Sequence, residues 1–228
     1  MKKLARILIY SIPFLFLYTP AWLPYPHVTF KALAFRAIVF LVFLIYIIFL
    51  FFKNKEKTNN FPMIEFLFGG ILLAIGFSNF LNGPTPVSFF GTIVRMGGFI
   101  DTVFLLTYCY LLTQIFEWEN YITYFKCWLL SSIYVFSFNL LYLLGHPGER
   151  VAMIYGNPIH VGVFAMFMFF ISTFLYFEEK KKIYIMFMLI NSILVFMTQT
   201  KSVMLGFLVG VIFISIYVLN SAYNRLQI

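Results

Sequence analysis

The sequence predicts an all-α fold, a polytopic integral membrane helical bundle of about eight transmembrane helices with both termini cytoplasmic. Three observations carry that expectation. Hydrophobic residues make up 62% of the 228 residues and charged residues 11%. A soluble domain is about half apolar and about a quarter charged. Mean hydropathy is +0.93. The apolar residues are also gathered into runs of about twenty, the length a helix needs to cross a bilayer. Such a chain cannot hide its apolar surface in a soluble core. A soluble enzyme, a nucleic-acid binder, a disordered protein and a disulfide scaffold are all excluded.

The runs fall near 6–23, 31–52, 62–81, 96–116, 121–144, 157–177, 183–199 and 202–220. The connections between them are short, so residues 1–228 are expected to form one transmembrane bundle. The start, Met1-Lys2-Lys3-Leu4-Ala5-Arg6, has the basic flank of a signal peptide. No small-x-small cleavage site follows, so it reads as an uncleaved first span, with Pro13 expected to kink it. Orientation follows from the basic residues, which concentrate in cytoplasmic loops. With the N-terminus inside, eleven of the sixteen Lys and Arg residues lie on the inner side. They include the short loops Lys53–Lys57 and Lys180–Lys182. Cys109 and Cys127 sit inside apolar runs without metal spacing and read as small apolar filler.

Five cations fall on the outer side: Lys31, Arg36, Arg95, Arg150 and Lys201. Each lies at or near the start of an even-numbered run. With this orientation those helices begin at the outer face, where their first amide N–H groups lack partners and the dipole is positive. A cation placed there is locally unfavourable, and a bound phosphate relieves both problems. If the helices converge, the outer face is expected to hold an anion-binding cavity. Snorkelling to lipid headgroups is the alternative for each cation. Arg36 fits it worst, because it lies inside its run. Asp101 is the other ionisable residue within a span, and a structural ion pair with a neighbouring Arg is expected of it as readily as a functional role.

Two outer segments carry further chemistry. Asn157-Pro158 is a strong helix start, a preferred N-cap followed by proline at the first helical position. His160 then falls in the first turn, where it could face an anion or a sugar. The plainer reading is a cap and an interfacial side chain. Thr198-Gln199-Thr200-Lys201-Ser202 is a polar island between two apolar runs. A plain turn there would favour Gly, Asn or Pro over Lys. Before the fourth run, Arg95 is followed by Gly97 and Gly98, which permit close backbone approach. The sequence carries no nucleotide-binding glycine loop, no metal cluster and no serine–histidine–carboxylate pattern. No metal and no cofactor are expected, and no nucleic-acid partner.

Three blocks, in order, resemble the bacterial O-antigen ligase and lipid-linked oligosaccharide polymerase superfamily. Phe90-Gly91-Thr92-Ile93-Val94-Arg95-Met96-Gly97-Gly98-Phe99 is similar to that family's Gly-Ser-x-x-Arg-x-x-Gly approach to a span. Tyr155-Gly156-Asn157-Pro158-Ile159-His160 is similar to its Gly-Asn-Pro helix start. Thr198–Ser202, followed by Gly206 and Gly210, resembles its Thr-x-Ser-Arg-Gly turn, with Lys201 at the arginine position. The resemblance implies transfer of a glycan from a polyprenyl-diphosphate carrier to an acceptor hydroxyl. The setting implied is the outer face of the bacterial inner (cytoplasmic) membrane, in cell-envelope polysaccharide synthesis. Its partners would be the polyprenyl-diphosphate-linked oligosaccharide, an acceptor glycan or lipid core, and membrane lipids. Arg95 and Lys201 occupy family cation positions. Arg36 and Arg150 are added by topology, and Asn157 and His160 by local chemistry. No catalytic residue is assigned. Family chains continue into a large extracytoplasmic loop with a functional histidine. This chain is therefore expected to be an N-terminal portion or a short member, completed by a C-terminal half or a partner subunit. A lipid or solute transporter and a non-catalytic membrane partner subunit are the alternatives.

Overall fold

The computed structural model describes residues 2–18, 20, 26–52, 62–81, 85–91, 98–147 and 157–226. Among them all regular structure is helical. Helix α1 is Lys2–Ser11, followed by a 3-10 helix Ile12–Leu17. Helices α2 (Pro26–Phe52), α3 (Pro62–Leu81), the short α4 (Pro86–Phe90) and α5 (Phe99–Ile115) come next. Then follow α6 (Trp118–Gly145), α7 (Pro158–Glu179), α8 (Ile183–Met197) and α9 (Lys201–Leu226). Among the described residues, four segments are long and apolar enough to cross a membrane: Val28–Phe52, Trp118–Gly145, Pro158–Glu179 and Lys201–Val218. Phe66–Leu81, Phe99–Ile115 and Ile183–Met197 are shorter apolar helices. The chain divides into two compact units, Met1–Cys127 and Trp128–Ile228, and the division falls within α6.

In the first unit α1 runs antiparallel to α2. The Lys2 ammonium lies 5.4 Å from the centre of the Phe49 ring, and at the far end Tyr18 packs edge-on against Phe30 at 5.3 Å. The nineteen steps from Phe30 to Phe49 span roughly 28 Å of α2 at about 1.5 Å each. Ten α-helical and six 3-10 residues cover a similar length, because the 3-10 rise is about 2.0 Å per residue. The expected proline kink thus takes the form of a change of helix type: α1 ends at Ser11 and Pro13 sits in the first turn of the 3-10 helix. Helices α2 and α5 run parallel. Arg36 meets Asp101 near their starts, and the Tyr46 hydroxyl donates to Gln114 Oε1 (3.4 Å) near their ends. Arg6 on α1 reaches the C-terminal end of α5, donating from Nε to the Ile115 carbonyl at 3.3 Å. Tyr10, Phe116 and Tyr124 close an aromatic cluster behind it.

In the second unit α7 and α8 form a hairpin joined by three residues. Lys180 takes the left-handed conformation that ends α7 (φ 56°). Helix α9 runs parallel to α7 along a seam of small residues. A Cβ on Gly162 would meet Thr198 Oγ1 and Val203 Cγ1 at 3.0 Å, Gly206 faces Met166, and Gly210 lies on the Phe170 ring. Glycines at four-residue spacing let helices in a membrane approach closely. The core of this unit also buries polar side chains completely: Ser131, Ser132, Asn139, Ser172 and Asn191. The hydroxyls bond back to carbonyls three or four residues earlier in their own helices. Asn191 Nδ2 reaches from α8 to the Ser132 hydroxyl on α6 at 3.3 Å.

Candidate functional site

The start of α5 brings together one group of the expected residues. Gly98 is its N-cap and accepts backbone bonds from Asp101 (3.1 Å) and Thr102 (3.3 Å). A Cβ at Gly98 would lie 2.6 Å from the Phe89 carbonyl oxygen and closer still to the backbone of Phe90 and Gly91. Gly91 itself has φ 79°, in the region that favours glycine. The end of α4 therefore stacks directly on the N-cap of α5, with a glycine on each side of the contact. This is the close approach that the sequence anticipates for the Arg95 block. Arg95 itself lies in the segment 92–97, outside the described residues, as does Arg150.

Asp101 stands in the first turn of α5, where a carboxylate complements the helix dipole. Arg36 Nε and Nη2 both converge on its Oδ1, at 3.3 and 3.2 Å. The arginine side chain is 13% exposed and the aspartate 39%, so the pair is open to its surroundings on the carboxylate side. The ion pair expected of Asp101 is thus present, and its partner is the cation that fitted snorkelling worst. Arg36 lies ten residues beyond Pro26, roughly 15 Å along α2.

The second group lies where α7 and α9 begin. Asn157 is the N-cap of α7, its side-chain oxygen accepting from the Ile159 N–H at 2.9 Å with Pro158 following. Helix α8 ends in a turn in which Gln199 takes a positive φ of 50°. The Thr198 hydroxyl donates to the Val195 carbonyl (2.8 Å) and the Thr200 hydroxyl to the Thr198 carbonyl (3.2 Å). Thr200 then accepts from Met204 N–H at 3.0 Å, starting α9. The Gly162 contact with Thr198 and Val203 pins these two blocks together. This contact is not legible in the sequence, because a lone glycine in an apolar run reads as neutral. His160 and Lys201 are both exposed at this end. Each lies two residues before a contact residue, Gly162 or Val203, and so about 200° around its helix from the seam. The structure therefore brings their helices together while turning both side chains outward.

Two grooves of about 300 Å³ each are apolar. One, lined by Phe43, Phe68, Gly69 and Leu106 among others, lies in the first unit. The other, lined by Phe170, Phe174, Phe213 and Tyr217, lies between α7 and α9. No cation lines either. No cluster of three metal-ligating residues occurs among the described residues. Fold and composition are compatible with a helical membrane protein: the described residues are helical, and four of their helices are long and apolar enough to cross a bilayer. No protein-family model matches the chain, and no curated protein or solved structure is significantly similar to it.

Proposed function

We propose that this chain transfers a glycan from a polyprenyl-diphosphate carrier to an acceptor hydroxyl, at the outer face of the bacterial inner membrane. The resemblance of the three blocks suggests the chemistry. The observation that carries it furthest is the joining of two of those blocks. Asn157-Pro158 and Thr198–Ser202 lie forty residues apart, yet they start two parallel helices that touch through Gly162. Two helix starts side by side offer their positive dipole ends to one anion. A departing diphosphate needs such groups where its charge develops. Lys201 and His160, exposed at the same end, supply a cation and a polar ring within reach of the membrane surface. In this reading the chain crosses the membrane eight times with both termini in the cytoplasm, and α2, α5, α7 and α9 all start at the outer face.

The test is glycan transfer in membranes that contain the chain, given polyprenyl-diphosphate-linked oligosaccharide and read as a shift in glycan mobility on gels. Lys201→Ala and Arg95→Ala are expected to lower the rate at least about tenfold each, as loss of a charge-stabilising donor does. The proposal fails if the chain is inactive both alone and with the coding sequence that follows it. One observation favours the reading as a partner subunit, the aromatic groove between α7 and α9, which a further helix would fill. Transfer that appears only when a second membrane subunit is supplied, and that survives Lys201→Ala, would favour that reading.

A further inference from the structure

Along the seam between α7 and α9 the packing changes character. Gly206 faces Met166 and Gly210 lies on the Phe170 ring, so the two helices touch down to that level. One turn further, α9 carries Phe213, Ile214 and Tyr217 in place of glycine, and the helices leave the apolar groove of about 300 Å³. Its other wall is Phe170, Phe174 and Phe177 of α7. From Phe170 to Phe177 it runs roughly 10 Å, about two thirds of the roughly 15 Å depth of one leaflet. Its side is open, with Phe213 and Tyr217 69% and 70% exposed. With Phe170 opposite Gly210, Phe177 comes level with Tyr217. Both stand at the ends of their apolar segments, Pro158–Glu179 and Lys201–Val218. In a bilayer the groove therefore begins at headgroup level and closes toward the middle of the hydrocarbon.

A cation stands at the headgroup end. Lys180 ends α7 in the left-handed conformation. Its ammonium lies 5.1 Å from the centre of the Phe177 ring, the last ring of the α7 wall. The neighbouring carboxylate is engaged elsewhere: Glu179 Oε2 takes the Lys181 ammonium at 2.9 Å and accepts from the Tyr184 hydroxyl at 2.6 Å. We propose that the groove between α7 and α9 holds one anionic phospholipid, its acyl chain along the phenyl rings and its phosphate at Lys180. An aromatic slot in the hydrocarbon, with a lysine and a tyrosine at headgroup level, matches the polarity of such a lipid. The end of α7 is the negative end of its dipole, so a phosphate there depends on the lysine. A further helix in the groove would have to bring an anion to Lys180, whereas a phospholipid carries one. The leaflet is the one at the end of α7, cytoplasmic in the eight-crossing arrangement. The inference requires only that α7 and α9 cross a membrane, and it holds whether or not the chain transfers a glycan.

The experiment places the full chain in nanodiscs of equal parts phosphatidylglycerol and phosphatidylcholine with identical acyl chains. Native mass spectrometry then counts the lipids that stay on the chain when the disc is removed. Wild type is expected to keep one phosphatidylglycerol, in about fivefold preference to phosphatidylcholine. Lys180→Gln should lower phosphatidylglycerol retention about fivefold, the weight of one lysine at an anionic headgroup. Lys180→Arg should restore it, and Lys182→Gln, the same charge change elsewhere in the loop, should leave it within about twofold of wild type. Tyr217→Ala removes part of the α9 wall and should lower retention of both lipids without changing the melting temperature, since the side chain is exposed. Wild type that keeps no lipid, or keeps both equally, overturns the proposal. So does a loss in Lys182→Gln as large as in Lys180→Gln, which would assign the effect to surface charge alone. Tyr217→Ala that retains lipid as well as wild type removes the acyl chain from the groove and overturns it too. A second copy or another subunit held in place of lipid, and released by Tyr217→Ala, would assign the groove to a helix instead.

Discussion

Among single residues, the glycines separate into two kinds according to what faces them. At Gly98 a Cβ would enter the backbone of Phe89, Phe90 and Gly91. Backbone cannot rotate away, so α4 or the first turn of α5 must shift. At Gly210 a Cβ would instead meet the Phe170 ring, which can swing. Overpacking of a core costs about 1–3 kcal/mol, with the upper end where nothing can yield. Gly98→Ala is therefore expected to destabilise the first unit by about 3 kcal/mol, and Gly210→Ala the second by about 1 kcal/mol. Thermal unfolding of the purified protein in detergent checks the order. Equal losses would mean that the end of α4 gives way as easily as a phenyl ring. The buried amides follow a different rule. Asn139 and Asn191 each spend Nδ2 on a carbonyl one turn back, and their Oδ1 atoms find no partner among the described residues. The contribution of Asn191 to packing is then its bond to Ser132, worth about 0.6 kcal/mol by the average for interhelical bonds in membranes.

Among whole elements, helix ends hold polar contacts that differ in weight. Arg6 shows which of two contacts matters. Its Nε donates to the Ile115 carbonyl at the end of α5, where orphan carbonyls and the negative dipole end favour a cation. Its Nη2 pairs with Glu117, whose side chain is 78% exposed. Exposed pairs are worth little. Arg6→Ala should therefore lower the stability of the first unit by about 1 kcal/mol, while Glu117→Ala should leave the melting temperature of the same preparation unchanged. A large effect of Glu117→Ala would show the reverse. The sequence made helix starts legible because caps are local. Asn157-Pro158 begins α7 where its chemistry says, and Gly98 approaches backbone closely. Asp101 could be read as half of an ion pair. Its partner's place on α2 follows only from how α2 and α5 cross. The faces on which His160 and Lys201 lie were not legible, since they depend on which side of α7 meets α9. Gly162 fixes that side, and one glycine in an apolar run gives no direction. The 3-10 helix was hidden for a related reason: Pro13 announces a break in α1, while the added rise shows only beside α2.

Over the whole molecule, the orientation of the helices can be followed within each unit. Helix α1 opposes α2, α2 parallels α5, and one apolar helix, α3, lies between those two in the chain. Helix α7 parallels α9, with α8 between them. Both patterns fit a chain that reverses direction at every apolar helix, with α4 as a short element that does not count. Four helices meet the length and apolarity of a span, and three more are shorter. The shorter ones need a reason to cross. Helix α5, at 17 residues, is roughly 25 Å long, a few ångströms short of a bilayer core of about 30 Å. Modest mismatch is met by local thinning of the bilayer, at fractions of a kcal/mol per ångström. Placing a basic loop on the wrong side is opposed by the charge bias that sets topology. The eight-crossing arrangement therefore makes a definite prediction for reporter fusions. A reporter active only in the cytoplasm should work after Lys57, Lys181 and Ile228. One active only outside should work after Gly148. If α5 did not cross, the positions after Lys57 and Gly148 would report the same side, and the starts of α2 and α7 could not share the outer face.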